Sequence, residues 1–274
     1  MLRRGVNNCN CNRYVNLPWW LVWGNCLKKL TAFLRLPFPN LQPNIPDFVR
    51  ILALETSSDR VSSAILEHQR VITQANLDVP RQAARWLTSA IADQLTLTGW
   101  SPADIQLVAV TSGPGSFTGL RIGVTTAKTF AYATHADILV INTLDVVAAQ
   151  AKHWEGTLET IIDAQRQQVF TCQYIRRADG TIQRCSEVQI VDNSQWLANL
   201  VRDRWITGSG LQRLESQLPK NIHVVDPNYW KPTAATVGQL ANQDYAEGRR
   251  DDLWKITPTY FRRSAAEERI SQNE

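Results

Sequence analysis

Short apolar blocks separated by polar turns open the body of the chain. Arg50 to Glu55, Val61 to Leu66 and Val71 to Ala75 read as three strands, with turns at Thr56–Arg60 and Glu67–Arg70. The period then lengthens. Over Arg81 to Thr98, Ala84, Leu87, Ile91 and Leu95 recur at helical spacing, a stripe that predicts a helix laid on the sheet and ended by Gly99. Ile105 to Thr111 predicts another buried strand, a glycine-rich turn leads into a helix ending near Thr134, and Ile138 to Ile141 predicts the next strand. Thr143 to His153 reads as a third helix with Thr143 as its N-cap.

The second half repeats the opening. Leu158 to Asp163 predicts a strand ending in an acid, as Arg50 to Glu55 does, and Gln168 to Ile175 follows after a turn. Helices are expected at Gln195–Val201, Leu211–Leu218 and Ala234–Glu247, with short strands at Trp205–Thr207 and His223–Val225. Strand hairpins alternating with helices, twice over, indicate an α/β protein of two similar lobes. We expect one lobe over residues 49–152 and a smaller one over 153–274.

Composition adds a third region. The chain has 274 residues, 44% of them hydrophobic, enough for two modest cores. Its net charge of +4 is uneven: residues 1–48 hold six basic side chains against Asp47 alone, +5, so the remainder carries −1. A near-neutral body lacks the footprint of a stand-alone nucleic-acid binder. The leader also holds Trp19, Trp20 and Trp23, five prolines, and three of the five cysteines. Cys9 and Cys11 have no second ligand pair at zinc spacing, and the thiol usage fits a reducing, cytoplasmic compartment. No apolar run approaches the roughly 18 residues of a membrane span. The expectation is either a disordered leader or a start codon placed too early, with the protein proper beginning near Val49.

The densest motif is Gly113-Pro114-Gly115-Ser116-Phe117-Thr118-Gly119-Leu120-Arg121-Ile122-Gly123. Glycines at a strand-to-helix turn suit an anion cradle, because a helix N-terminus presents unpaired N–H groups. The spacing fits neither familiar cradle. A P-loop needs Gly-Lys-Ser/Thr where Gly119 is followed by Leu120-Arg121, and the dinucleotide fingerprint GxGxxG is here GxGxxxG.

This stretch resembles the hallmark of the bacterial TsaB (YeaZ) family, partners of the TsaD enzyme that makes threonylcarbamoyladenosine in tRNA. The resemblance continues through Ile51-Leu52-Ala53-Leu54-Glu55-Thr56-Ser57, Ile161-Ile162-Asp163-Ala164-Gln165-Arg166, Thr207-Gly208-Ser209-Gly210-Leu211 and Pro258-Thr259-Tyr260-Phe261-Arg262. It implies the duplicated actin-like, Hsp70-like and sugar-kinase-like fold, two lobes of RNase H type, the first being Gcp-like. In that superfamily, acids ending the first strand of each lobe help hold a metal–nucleotide, and a glycine pair receives the adenosine. The matching positions are Glu55, Thr56, Ser57, Asp163, Gly208 and Gly210. They are expected to be vestigial, because a Thr/Ser-rich turn is also ordinary turn chemistry.

Catalytic chemistry is hard to find in these residues. TsaD carries HxxxH on the helix after the hairpins, two imidazoles on one face, whereas Arg81 to Thr98 contains no histidine. The four histidines, His68, His135, His153 and His223, include no pair at i, i+4, and no nucleophile elbow or Cys–His signature is present. The chain therefore reads as a paralogue of an enzyme, without catalytic or metal-binding residues of its own. Gly119, Gly123, Ala127 and Ala131 recur every four residues, a face nearly free of side chains that permits close helix approach. That face suits a partner helix or the protein's own sheet, and the sequence leaves both open. Trp86 and Ala90 lie off the apolar stripe of their helix. The family resemblance tips this choice to a partner: both helices are expected to pair with TsaD, or with a second copy, in a four-helix arrangement that places Trp86, Ala90, Gly119, Gly123, Ala127 and Ala131 at the interface. From the residues themselves, Arg85 and Arg121 could fork to partner carboxylates or stand as solvated charges. It further implies the ATPase TsaE as a partner, tRNA contact only through the complex, and no tightly held cofactor, any ATP or ADP sitting at the complex interface. The rival reading is an autonomous ATPase or sugar kinase of this fold, or an M22-type metallopeptidase.

Overall fold

In the computed structural model, residues 48–78 and 83–261 are described; the expectations for the leader fall outside them. Strands β1 (Arg50–Glu55), β2 (Val61–Glu67) and β3 (Arg70–Leu77) form an antiparallel meander. Helix α1 (Ala83–Thr98) then returns the chain to β4 (Leu107–Gly113), parallel to β1, and α2 (Phe117–Thr134) to β5 (Asp137–Asn142), parallel to β4. The strand order is β3-β2-β1-β4-β5. Right-handed crossovers place α1 and α2 on one face.

After α3 (Thr143–Gln150) the same topology starts again. Strands β6 (Thr157–Gln165), β7 (Gln168–Arg176) and β8 (Ile182–Arg184) form the meander, and β10 (Trp205–Thr207) and β11 (His223–Val224) add in parallel on the other side of β6. The second sheet runs β8-β7-β6-β10-β11, the order of the first, with β9 (Gln189–Asp192) also paired to β7. The predicted duplication is thus present at the level of strand order. Helices α4 (Asn193–Ala198) and α5 (Leu211–Leu214) are shorter than the periodicity suggested. α3 likewise ends at Gln150 and takes its N-cap from Asn142, whose side chain accepts the Leu144 N–H, rather than from Thr143.

A linear division at 152/153 does not separate the two packing units. α3, from the first half, sends Leu144, Val147 and Ala148 into the core of the second sheet with Leu158 and Ile162. α6 (Ala234–Ala246), from the second half, packs on the first sheet: Ala234, Val237, Ala241 and Tyr245 join Ile51, Ala53, Ala64 and Leu66. Gly238 makes this possible, since a Cβ there would lie 2.4 Å from Leu66 Cδ1 and 3.1 Å from Ala53 Cβ. On the opposite face, α1 and α2 bury Leu87, Ile91, Leu95, Val124 and Ala127 against Leu52, Leu54, Val108 and Val110. Buried Gln94 fixes α1 on β2, accepting from Ser63 Oγ at 2.7 Å and donating to Ser63 O at 3.2 Å.

Both edges of the first sheet are blunted. Ile72 on β3 has no residue opposite, because Ile65 pairs with Thr73 and Leu66 with Val71, a bulge that interrupts the edge. On β5 the segment after α6 imitates a further strand: Val140 N–H donates to Asp251 Oδ2 (2.8 Å), Arg249 Nη2 donates to Val140 O (2.7 Å), and Asp251 N–H donates to Ile138 O (3.3 Å). Asp251→Ala is expected to destabilise the protein by about 1–3 kcal/mol, the cost of an unpartnered ladder N–H. It should also raise light scattering at the foot of the thermal melt as the edge is exposed. A melt and scattering trace matching the parent would show that the cap is dispensable.

Candidate functional site

The carboxyl ends of β1 and β6, the two matching first strands, face a cleft of about 840 Å³ between the sheets. Its lining includes Ser57, Phe117, Asp163, Arg166, Ser209 and Tyr260. The structure therefore brings the two sequence-predicted strand ends to one cavity.

Glu55 is sealed beneath the cleft and is not part of its surface. Its Oε1 accepts from both the N–H (2.6 Å) and the hydroxyl (2.7 Å) of Ser57, while Oε2 is buried without a hydrogen-bond partner. Burial pushes its pKa up to about 7, against the pull of the Ser57 hydrogen bonds. Thr56 is also fully buried, and its hydroxyl has no partner. The Ser57 N–H and hydroxyl are thus occupied within the turn and are not offered to the cleft.

The glycine motif explains the crowding. Ser116 N–H donates to Ser57 O (2.7 Å), and the Ser116 side chain caps α2 by accepting from Gly119 N (3.2 Å). A Cβ on Gly119 would lie 2.0 Å from Thr56 O, and one on Gly123 would lie 2.2 Å from Thr56 Oγ1. These glycines let α2 sit directly on the β1–β2 turn. Gly113, at φ +119°, turns the chain from β4 under Thr259 O. The motif acts as a packing seat for α2 on the β1–β2 turn.

The small-residue face faces inward for the same reason. Gly123, Ala127 and Ala131 are buried, the two alanines within the core against the sheet, and Gly119 is half-buried against Thr56. The stripe is therefore internal and not the partner contact expected of Gly119, Gly123, Ala127 and Ala131, because the absent side chains are what allow α2 to reach the turn. Ala90 is likewise buried, its position lying next to Ile91 on the sheet-facing arc. Trp86 is partly buried over the same core, and Arg85 is exposed in the first turn of α1. The exposed residues are mostly small, Ala84, Thr88, Ser89, Ala92 and Thr96 on α1 and Thr118, Thr125, Thr129 and Ala133 on α2, joined by Arg85, Asp93, Leu97, Arg121 and Tyr132.

In the second lobe, Asp163 Oδ1 accepts from Gln165 N–H (2.8 Å) and Oδ2 pairs with Arg213 at 2.9 Å. The hairpin after it holds Gln165, Arg166 and Gln167 consecutively at positive φ. Gly208, at φ +116°, packs on Ile161, whose carbonyl a Cβ would approach to 2.1 Å, and Gly210 N–H donates to that carbonyl at 3.2 Å. The glycine pair seats α5 on β6, the role its counterpart plays in the first lobe. Ser209 alone of the trio lines the cleft.

Sequence reasoning missed the segment that closes the cleft mouth. Thr259 N–H donates to Ser112 O (2.7 Å), Tyr260 packs on Phe117 with ring centroids 4.7 Å apart, and Phe261 reaches Phe170 of β7 at 5.9 Å. Arg121 lies flat on Phe117, 3.9 Å from the ring centroid, and its Nε donates to Tyr260 OH at 2.9 Å. The Pro258-Thr259-Tyr260-Phe261 run was visible in the sequence, but its contact 139 positions away was not.

Comparison with known proteins agrees with this architecture. The family model described as TsaD, tRNA N6-adenosine threonylcarbamoyltransferase, matches residues 69–268. The tRNA threonylcarbamoyladenosine biosynthesis protein TsaB of Bacillus subtilis is 29% identical over 224 residues, 79% of this chain and 96% of that protein. The Escherichia coli TsaB is 29% identical over 234 residues, 82% of this chain and all of its own length. The solved structure of YeaZ from Pseudomonas aeruginosa superposes with a TM-score of 0.67 at 23% identity, covering 78% of this chain and 100% of that one.

The chain belongs to the TsaB (YeaZ) family. The Bacillus subtilis and Escherichia coli relatives are both named for threonylcarbamoyladenosine biosynthesis in tRNA. Among the described residues of this TsaB-family chain, no group of three or more His, Cys, Asp or Glu side chains is placed to hold a metal ion. No helix among them is long and apolar enough to cross a membrane.

Proposed function

We propose that this protein is a non-catalytic subunit that binds TsaD and activates it for threonylcarbamoyl transfer to N6 of adenosine 37 in ANN-decoding tRNAs. The observation that carries this reading is the outward face of α1 and α2. It is built mostly of small residues with exposed Leu97, Tyr132, Arg85 and Arg121 among them, while the glycines of α2 are committed to the protein's own core. A docking face made by two parallel helices suits TsaD, or a second copy of this chain, in a four-helix contact.

The cleft is consistent with an accessory role. Glu55 and Ser57 satisfy one another beneath its floor, and Asp163 is held by Gln165 and Arg213. These residues do not fit a tightly held metal–nucleotide. ATP or ADP belongs at the interface of the complex, TsaE joins as a further partner, and tRNA is met through the complex in the cytoplasm.

The test is co-expression with TsaD from the same organism, followed by size-exclusion chromatography and a tRNA modification assay. Co-elution is expected, with transfer by TsaD rising on addition of this protein and none catalysed by this protein alone. Modification by the protein alone, in TsaD-free material with a chelator control, would overturn the reading, as would failure to co-elute.

A further inference from the structure

α1 and α2 each return the chain between parallel strands of one sheet, so they run parallel and their N-termini lie together at the cleft end. Neither has an acidic residue in its first turn. Arg85 and Arg121 therefore share that end with two positive helix termini. The electrostatic complement of this end of the face is negative.

Arg121 differs from an ordinary surface arginine. Its guanidinium is stacked on Phe117, and its Nε is held by the hydroxyl of Tyr260, which the Thr259 backbone bond fixes in turn. It forms no ion pair with a carboxylate among the described residues. With Nε engaged, the two terminal amino groups carry no hydrogen-bond partner among those residues and form a planar fork that receives a carboxylate end-on. Stacking and the tyrosine hydrogen bond restrict the rotamers before any partner arrives, so less freedom is lost on docking.

We infer that Arg121 is a pre-organised anchor for an Asp or Glu side chain of the partner docked on the α1/α2 face, and that Phe117 and Tyr260 position it. This rests on the pairing proposed above. It adds that the C-terminal segment closing the cleft also sets the geometry of the docking face.

The experiment measures the affinity of full-length variants for TsaD by calorimetry, without tRNA, alongside thermal melts. Arg121→Ala should weaken binding at least roughly 30-fold, as loss of one partner of a desolvated charge pair does. Arg121→Lys should rescue little, because lysine keeps the charge but lacks the fork. Tyr260→Phe keeps the ring, frees the guanidinium and should cost roughly 3- to 10-fold through lost positioning. All three should melt near the parent. If the parent binds and Arg121→Lys stays within twofold of it, the anchor is wrong and the pairing stands. An Arg121 effect that appears only with tRNA present also overturns the anchor, because the occupant would then be a phosphate. If the parent itself does not bind, the pairing has failed and the anchor falls with it.

Discussion

Ala127→Arg is expected to unfold the protein, or nearly so. Ala127 is completely buried on the sheet-facing side of α2, among Val124, Ala131, Leu52, Leu54, Val108 and Val110. No carboxylate belongs to that core, so an arginine would bring an unpaired charge into an apolar site with no room for its chain. A destabilisation of about 4–5 kcal/mol or more places it in the extreme tail of point substitutions. For a domain of this size that corresponds to a melting temperature lower by about 10–20 °C. A melt near the parent's, combined with lost co-elution with TsaD, would falsify the internal placement of the stripe. Thr125→Arg is the informative companion. Thr125 lies two positions away on the exposed side of the same helix, so it should melt normally and weaken pairing.

Those two positions illustrate how far the sequence could be read. A repeat of small residues every four positions reports that some backbone approaches α2 closely, and this was legible in Gly119, Gly123, Ala127 and Ala131. Which backbone is a tertiary fact. The β1–β2 turn that fills the groove lies far earlier in the chain, and nothing in its Thr/Ser composition names α2 as its neighbour. Strand order was readable for a different reason: each β-hairpin and each β–α–β crossover is local, and both lobes repeat the same local series. The exchange of helices was not readable. α6 carries an apolar stripe suited to either sheet, and tertiary contacts hold it on the first: the close approach of Gly238 to Leu66, the Ala234 N–H donated to Ser62 Oγ and the Tyr245 hydroxyl donated to Asp137. Similarly, Glu55 and Asp163 could be placed at matching strand ends, but whether a strand-end acid is exposed or sealed depends on how closely the next loop sits. Here the glycine motif seals Glu55 and leaves Asp163 at the cleft surface with Arg213.

Sealing Glu55 has a consequence that can be measured. In the folded protein its pKa is pushed up to about 7 from 4.5, chiefly by burial, so the native state holds this proton over a range in which the unfolded chain has released it. Folding then takes up a proton, and stability falls as pH rises from about 4.5 to about 7. Below 4.5 both states are protonated and nothing is lost; above 7 both are ionised and the loss is complete. The full effect is about 3 kcal/mol, because each tenfold change in proton affinity between the two states is worth roughly 1.4 kcal/mol. Glu55→Gln should remove it. The amide oxygen can still accept the Ser57 N–H and hydroxyl, and the NH2 takes the position of Oε2, which has no partner in the parent. The parent and Glu55→Gln are therefore expected to have similar unfolding free energies at about pH 5, with the variant about 2–3 kcal/mol more stable at about pH 8. Urea titrations across that range measure the difference directly. Parallel pH profiles for the two proteins would mean that Glu55 titrates normally and that its carboxylate is open to the cleft. The opposite slope, with the parent gaining on the variant as pH rises, would mean that the ionised carboxylate is stabilised in the folded state, as expected of a working cation-binding acid and not of a sealed one.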